Sequence, residues 1–492
     1  MLFNSFHFLV FFPVTVFLYY LIPHKWRWLM LLAASYYFYM SWNPAYVVLI
    51  LFTTSVNYFA GQRIDASVGR KRKGWLLTGL ISSLGVLFVF KYFNFFNDIG
   101  ARLLGILGAG VEPLAINVLL PVGISFYTFQ TLSYTIDVYR GKKKAERHFG
   151  IFALYVSFFP QLVAGPIERS TRLLPQFYEK HDFDGRLARE GILQMFWGFF
   201  KKMVIADRLA MLVDTVYGKP ADYTGWPLVL ATVFFSIQIY CDFSAYSDIA
   251  IGSAKVMGFD LIKNFDRPYF ARSIREFWRR WHISLSTWFR DYVYISLGGN
   301  RVGRARHIFI ILITFILSGL WHGADITFLA WGAIHGILYS IEVLSSGGRK
   351  RFWSYLRLKD SYIEKTFNWV ITASIVCFAW IFFRSDSISD ARYISINIFK
   401  DLGISGLLNK RHILDKRFFS LGLNKQQMTA AFLSISLLLI IELLQARFSL
   451  KGFMDRRHWL VWWSLVAVLV LGVAIFGMYG NLEIKEFIYF KF

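Results

Sequence analysis

Long apolar runs recur along most of this chain, and they restrict the structures it can form more than any other feature. A full membrane span needs roughly 20 apolar residues, so 28–41, 149–165 and 307–321 are expected to be tilted, short or re-entrant. The pattern predicts an all-α polytopic membrane protein of roughly 11–13 membrane segments. The predicted segments are 5–22, 28–41, 45–61, 75–97, 117–139, 149–165, 190–211, 226–258, 307–321, 326–345, 367–384, 428–446 and 459–479.

The composition supports a membrane protein and argues against other classes. Hydrophobic residues make up 56% and charged residues 17% of the 492 residues, whereas a soluble protein carries about 25% charged residues. The net charge of +23 comes from basic residues in short loops between apolar runs. This placement predicts positive-inside topology and contact with anionic membrane lipid, and no nucleic-acid partner. With only Cys241 and Cys377, neither a disulfide framework nor a cysteine-based metal site is expected.

Short basic loops orient the predicted spans. The loops at 63–73, 142–147, 349–351 and 447–457 can all face the cytoplasm if the spans between them come in pairs, which places the N-terminus outside. The stretch 385–427 then falls outside as well. No basic residue precedes 5–22, so this run is expected to be a first span and not a cleavable signal. Because no internal repeat or Gly/Ser-rich linker is visible, 1–492 is predicted to be a single membrane-embedded domain.

The most polar stretch of the chain is 259–306, where ten arginines and lysines alternate with tryptophans and tyrosines. Two interpretations are open. One is a cytosolic or interfacial amphipathic segment with an aromatic belt and snorkelling arginines. The other is a cytosolic vestibule for a polyanionic donor, because guanidinium groups bind phosphates through two hydrogen bonds. Both can hold at once.

Two histidines are the strongest indication of function. His282 lies in the aromatic and basic run 276–286, and His322 lies at the far end of the apolar run 307–320. An ionisable side chain inside a membrane segment is costly to keep and by default marks a functional site. Imidazole is also the side chain best suited to proton transfer near neutral pH. The pattern therefore favours a polytopic membrane enzyme.

A set of motifs is distributed along the chain, at 241–252, 264–269, 278–286, 290–292, 298–301 and 319–323, with supporting motifs at 121–127, 165–167, 380–384 and 487–490. These motifs resemble the membrane-bound O-acyltransferase (MBOAT) superfamily, and within it the bacterial alginate O-acetyltransferase group. The resemblance spans nearly the whole chain and implies an MBOAT-like helical bundle with a central channel. One departure is Ile326, where this group usually has an aromatic residue after the histidine motif.

The resemblance implies roles for particular residues. His322 matches the catalytic histidine of the superfamily, and His282 matches the second histidine of the bacterial branch. Acyl transfer to a hydroxyl needs a base near that hydroxyl and a group that stabilises the tetrahedral oxyanion. His322 is expected to be the general base or a transient acyl carrier, and His282 to orient the donor or polarise its thioester. The residues expected to bind the donor are Trp278, Arg279, Arg280, Trp281 and Arg290.

The same resemblance implies the substrates and partners. Acetyl-CoA is the expected acetyl donor, with no bound cofactor and no metal. The acceptor would be an exported polysaccharide, or an extracytoplasmic SGNH-hydrolase-like acetyltransferase partner that relays the acetyl group. The implied location is the bacterial inner membrane. From Arg306 to His322 is 16 residues, or about 24 Å if helical, which would place the base past the bilayer midplane.

Four further polar residues are expected to support the structure. Asp242 and Asp248 lie inside an apolar stretch, where they are expected to pair with arginines of 267–280. Asn300 follows two glycines. His335 is 13 residues after His322, which on a continuous helix would face the opposite side.

Two other functions stay open at this point. A polytopic transporter would also contain buried histidines, but it would usually show an internal repeat. D-alanyl or other acyl transfer to a cell-envelope polymer would use a related fold, with a carrier-protein thioester as the donor in the D-alanyl case.

Overall fold

The computed structural model describes residues 1–108, 114, 120–403, 421–448 and 459–478, and these residues contain helices and loops but no strand. Three π-helical stretches, Phe88–Tyr92, Phe200–Ala206 and Arg290–Tyr294, adjoin α-helices. The α-helices are α1 Phe6–Leu21, α2 His24–Met40, α3 Val47–Asp65, α4 Gly69–Leu87, α5 Phe93–Ile106, α6 Ile124–Tyr139, α7 Phe149–Ser157, α8 Ser170–Gln176, α9 Gly185–Phe199, α10 Asp207–Tyr217, α11 Trp226–Val256, α12 Ile274–Arg280, α13 Ile283–Phe289, α14 Arg304–His322, α15 Ile326–Tyr355, α16 Tyr362–Arg384, α17 Ile388–Asn397, α18 Lys425–Arg447 and α19 Trp459–Phe476.

Eight helical stretches among the described residues are long and apolar enough to cross a membrane. The all-α polytopic class is therefore confirmed, while the central channel stays a prediction. The eight stretches are Pro44–Asp65, Gly69–Ile106, Trp226–Val256, Arg304–His322, Ile326–Tyr355, Tyr362–Arg384, Lys425–Arg447 and Trp459–Phe476.

The short predicted runs have different outcomes. The run 149–165 forms only the nine-residue helix α7, followed by a buried irregular segment, as expected for a short element. The run 307–321, expected to be tilted, short or re-entrant, forms the 19-residue helix α14, which begins at Arg304, before the apolar run. At 1.5 Å per residue α14 is about 28 Å long, nearly the thickness of a bilayer core. The predicted elements 117–139, 385–427, 447–457 and 487–490 lie wholly or partly outside the described residues.

The described chain divides into two compact units, each made of separate stretches of sequence. The first unit contains Met1–Met195 and Tyr246–Lys263, and the second contains Phe196–Ala245 and the described residues that follow Lys263. The prediction of a single domain and the predicted sidedness of the basic loops stay predictions. Both histidines singled out from the sequence belong to the second unit.

A buried polar network joins three helices of the first unit. The Thr135 hydroxyl donates to Asn57 Oδ1 at 2.7 Å, and Asn57 Nδ2 donates to Ser83 Oγ at 2.8 Å. All three side chains are fully buried. Since a buried polar group costs free energy unless it is hydrogen-bonded, this network fixes how α3, α4 and α6 pack.

Glycines bring α14 and α15 of the second unit unusually close together. A Cβ atom on Gly319 would lie 2.2 Å from the Phe328 carbonyl oxygen, and one on Gly332 would lie 2.4 Å from that of Phe315. Small residues allow membrane helices to approach in this way. The helix breaks between His322 and Ile326, where the Asp325 side chain accepts a hydrogen bond from Thr327 N at 2.8 Å and caps α15.

Candidate functional site

Helix α12 leads from the polar segment toward the turn between α14 and α15. The Arg275 N–H donates to Glu342 Oε2 at 3.2 Å, near the middle of α15. Three residues further along α12, the ring centroid of Trp278 lies 5.7 Å from that of Trp331. Trp331 precedes Glu342 by 11 residues, or about 16 Å along α15. His282, just beyond α12, contacts Trp321 with ring centroids 6.0 Å apart. Helix α12 therefore lies beside the α14–α15 hairpin, within the second unit.

His282 occupies a sharp turn between α12 and α13. Its φ is 43°, in the left-handed region that non-glycine residues seldom adopt. The turn is held by the backbone of Asn264, whose carbonyl accepts the Ile283 N–H at 2.8 Å, and by Asp266 N–H bonding to the Arg280 carbonyl at 2.9 Å. A strained backbone conformation of this kind persists only where its surroundings determine it, and such residues cluster at functional sites.

Asn264 determines which nitrogen of His282 carries the proton. Asn264 Oδ1 accepts from the Ser284 backbone N–H at 3.2 Å and from the Ser284 hydroxyl at 2.9 Å, and His282 Nδ1 lies 3.2 Å from it. Because a backbone N–H can only donate, the atom facing His282 is an oxygen, and Nδ1 must be the donor. The neutral imidazole then presents Nε2 as its acceptor nitrogen.

Burial keeps His282 neutral. The side chain is fully buried, with Phe243 at 4.5 Å between ring centroids, and burial lowers the pKa of its imidazole to about 3. A neutral imidazole with its proton on Nδ1 can accept a hydrogen bond at Nε2 but has no second N–H to donate.

Aromatic rings enclose His322, the last residue of α14. Its side chain is 3% exposed, and its ring centroid lies 4.9 Å from Trp321, 5.2 Å from Trp331 and 5.3 Å from Phe383. All three contacts are edge-to-face. Since Trp321 also contacts His282, the structure brings the two predicted catalytic histidines to one indole ring.

His335 lies closer to this site than a continuous helix would allow. Because α14 ends at His322, His335 is on the antiparallel helix α15, and its ring lies 5.0 Å from Trp331, which also contacts His322. The condition of a continuous helix, on which the opposite-face expectation depended, is therefore not met. Trp278 Nε1 donates to His335 Nδ1 at 3.3 Å, a contact that agrees with the predicted supporting role without testing it.

The predicted donor-binding tryptophans are core residues. Trp278 is 8% and Trp281 is 1% exposed. Trp281 packs against Trp380 with ring centroids 5.0 Å apart. An aromatic belt at the membrane surface is therefore the wrong interpretation for these side chains. Trp278 also packs against His335 with ring centroids 5.0 Å apart. Direct contact of either side chain with a donor stays a prediction.

The predicted donor-binding arginines differ in how they are paired. Arg280 forms an ion pair with Glu276 at 2.6 Å, and Arg290 pairs with the neighbouring Asp291 at 2.8 Å. Arg279 is exposed and forms no ion pair with any described residue. It belongs to a set of exposed arginines, called here the basic rim, which consists of Arg272, Arg275, Arg279, Arg290, Arg301, Arg304 and Arg306.

The acidic residues expected to support the structure have other partners than the arginines of 267–280. Lys202, on the π-helical stretch Phe200–Ala206, bonds to Asp242 at 2.6 Å and to Asp207 at 3.0 Å, with all three side chains buried. In the first unit, Asp248 accepts from Gln194 Nε2 at 3.0 Å. Asn300 is exposed and makes no hydrogen bond to a described residue, so its supporting role stays a prediction.

Three functional candidates were missed in the sequence. Asn264 begins the motif 264–269, but its contact with His282 depends on the folded turn. Lys202 lies in an apolar run beside Lys201, and a buried lysine in such a run could have been recognised as needing a carboxylate partner. Trp331 opens the Trp-Gly-x-x-His-Gly pattern that contains His335.

Comparisons with known proteins identify the family of this chain. The model of the MBOAT, membrane-bound O-acyltransferase family, matches residues 148–383, which include Asn264, His282 and His322. The chain is 40% identical over 465 residues to the probable alginate O-acetylase AlgI of Azotobacter vinelandii, covering 92% of this chain and 86% of the relative. The chain belongs to the membrane-bound O-acyltransferase family.

Other relatives resemble the chain over shorter regions. A peptidoglycan O-acetyltransferase of Helicobacter pylori is 35% identical over 398 residues, covering 75% of this chain and 72% of the relative. A teichoic acid D-alanyltransferase of Bacillus subtilis is 28% identical over 281 residues, covering 54% and 69%. The chain is therefore a multi-pass membrane O-acyltransferase, and the predicted family and enzyme class are confirmed. This assignment excludes the transporter alternative.

Proposed function

We propose that this enzyme transfers an acetyl group from cytosolic acetyl-CoA, across the bacterial inner membrane, to an exported polysaccharide or to an extracytoplasmic acetyl-relay partner. The observation that carries the proposal is the meeting of His282 and His322 at Trp321, at the opposite end of α14 from Arg304. The relatives named for alginate and peptidoglycan O-acetylation support an acetyl donor and a polymer acceptor.

The donor would bind along α12. Acetyl-CoA is polyanionic, and the exposed guanidinium groups of the basic rim suit its phosphates. Among these, Arg279 lies three residues before His282 and has no ion-pair partner among the described residues. A donor held by its phosphates at the rim could extend its thioester arm beside α12 toward Trp321.

The two histidines would have different roles. His322 would act as the general base that removes the proton from the acceptor hydroxyl. Of the two roles predicted for His282, orienting the donor fits the structure better than polarising the thioester. Its Nδ1–H is engaged by Asn264, and its Nε2 can accept a hydrogen bond from an amide N–H of the pantetheine arm.

A second candidate is D-alanyl transfer to a cell-envelope polymer, favoured by the similarity to teichoic acid D-alanyltransferases. Its donor would be a thioester on a carrier protein. The basic rim does not discriminate between the donors, because the phosphopantetheine of a carrier protein is also anionic.

The test is acyl transfer by the purified protein reconstituted in lipid. Labelled acetyl-CoA and a D-alanyl carrier-protein thioester are supplied separately, with an acidic polysaccharide as the acceptor. We expect transfer from acetyl-CoA, its loss in His322→Ala, and no loss in the control His7→Ala, which changes an exposed histidine of the first unit. Transfer from the carrier thioester alone would favour the second candidate, and undiminished acetylation by His322→Ala would refute the proposed role of the base.

A further inference from the structure

The proposed reaction has one chemical requirement to which no residue has yet been assigned. When the acceptor oxygen attacks the thioester, negative charge develops on the carbonyl oxygen, and a hydrogen-bond donor placed there lowers the barrier. Neutral His282 has its N–H engaged by Asn264 and cannot serve. Another residue must therefore provide a hydrogen-bond donor close to His322.

Trp331, whose indole carries an N–H donor, packs against the proposed base. Its side chain is completely buried, and its ring centroid lies 5.2 Å from that of His322 at an interplanar angle of 86°. The indole is fixed by stacking on Trp380, at 5.7 Å and 22°, and by an edge contact with Phe383 at 5.2 Å. An indole held on several sides in this way has little freedom to reorient.

The Trp331 Nε1–H makes no hydrogen bond with any described residue. Buried tryptophan N–H groups usually have a partner, and a buried donor without one costs stability. Trp278, on the neighbouring helix α12, follows the usual pattern by donating to His335 Nδ1. Trp380 is also completely buried with an Nε1–H that has no partner among the described residues. Trp331 differs from Trp380 because its ring contacts the proposed catalytic base.

We infer that the Trp331 indole N–H is an oxyanion donor of this acyltransferase. The inference rests on the proposed function. It assigns to Trp331 the stabilisation of charge in the transition state, separate from donor binding at the basic rim and from proton transfer at His322.

His322 removes the proton from the acceptor hydroxyl while the hydroxyl oxygen bonds to the thioester carbonyl carbon, and the carbonyl π electrons move to its oxygen. Trp331 Nε1–H donates a hydrogen bond to that oxyanion. When the carbonyl re-forms, the carbon–sulfur bond breaks, and the CoA thiolate takes the proton from His322. The products are the acetyl ester and CoA with its free thiol.

The experiment removes this N–H and keeps the ring. Trp331 is replaced by 3-benzothienylalanine, which has the shape of tryptophan with sulfur in place of the N–H, and separately by Phe. The matched control is Trp353→Phe, which changes another buried tryptophan of α15, 22 residues further along and about 33 Å away. Donor KM, kcat and melting temperature are measured for the full-length protein reconstituted in lipid.

We expect the benzothienyl variant to lose about 10²–10³-fold in kcat, with donor KM and melting temperature close to those of the wild type. The Trp353→Phe control should keep kcat within about threefold. A benzothienyl variant with nearly full kcat would overturn the inference, even if Trp331→Phe were inactive, because the loss would then come from ring shape. Absence of acyl transfer by the wild type from any thioester donor would instead refute the proposed function itself.

Discussion

His282 and His322, the two proposed functional histidines of the second unit, are held in contrasting ways. Hydrogen bonds hold His282, since a left-handed turn and the Asn264 oxygen set its orientation and its tautomer. Aromatic rings hold His322, with three edge-to-face contacts at the end of α14. A group that must orient a substrate benefits from one fixed tautomer, whereas a group that gains and loses a proton must accommodate both states. The difference in surroundings thus matches the difference in proposed role.

The largest effect that would test this contrast is expected at His322. His322→Ala should lower the single-turnover rate by about 10²–10⁴-fold and leave donor affinity nearly unchanged, because the base acts on the acceptor hydroxyl in the transition state. His282→Ala should weaken donor binding as well as turnover. If His322→Ala loses donor binding while His282→Ala keeps it, the two roles are reversed.

The next effect concerns the support behind His282. Phe243, which packs on His282, follows Asp242, and Lys202 pairs with both Asp242 and Asp207. Lys202→Met should lower the free energy of unfolding by about 3–5 kcal/mol, because it removes a cation that pairs with two buried carboxylates. Lys219→Met, which removes an exposed lysine of the same unit, is the control. An unchanged melting temperature in Lys202→Met would show that the ion pairs are not needed for the fold.

A smaller effect is expected when the hydrogen bond that fixes the tautomer of His282 is removed. Asn264→Ala removes the acceptor of three hydrogen bonds, whereas Ser284→Ala removes one donor and leaves the His282 contact in place. Asn264→Ala should reduce kcat/KM for the donor by roughly 10–100-fold, the range seen when a partner that orients a functional histidine is lost. Equal losses in the two variants would mean that Asn264 acts through the turn and not through the imidazole.

The smallest effect separates two adjacent arginines. Arg279 has no ion-pair partner among the described residues, while Arg280 is paired with Glu276. Arg279→Ala should therefore raise donor KM by about tenfold or less, more than Arg280→Ala, and the difference should shrink as salt is added. Donor KM measured at low and high ionic strength checks this. A larger effect at Arg280 would place the donor phosphates on the other side of α12.

The sequence predicts the membrane class and the two histidines, but not how they meet. Hydropathy and length determine the spans, so α11, α15 and α16 could be expected from apolar runs. The contact of His282 and His322 through Trp321 depends on the break after His322 and on the close approach at Gly319 and Gly332. Neither the helix break nor the close approach of the two helices can be recognised from the hydropathy of the sequence.

Side-chain pairing is the feature of the structure that the sequence predicts least well. An aspartate in an apolar stretch must find a partner, but charge alone does not distinguish an arginine of 267–280 from Lys202, which pairs with Asp242. Likewise, Asn264 contacts His282 although 18 residues separate them. Long-range contacts of this kind are set by how the helices pack.

The most direct test of the central claim is a sided transfer assay. The protein is inserted into vesicles with its basic loops facing outward, acidic polysaccharide or the relay partner is enclosed in the lumen, and labelled acetyl-CoA is added outside. We expect the wild type to acetylate the lumenal acceptor and His322→Ala not to do so, while both proteins bind acetyl-CoA. Acetylation only of acceptor on the same side as acetyl-CoA, or transfer that survives in His322→Ala, would contradict the central claim.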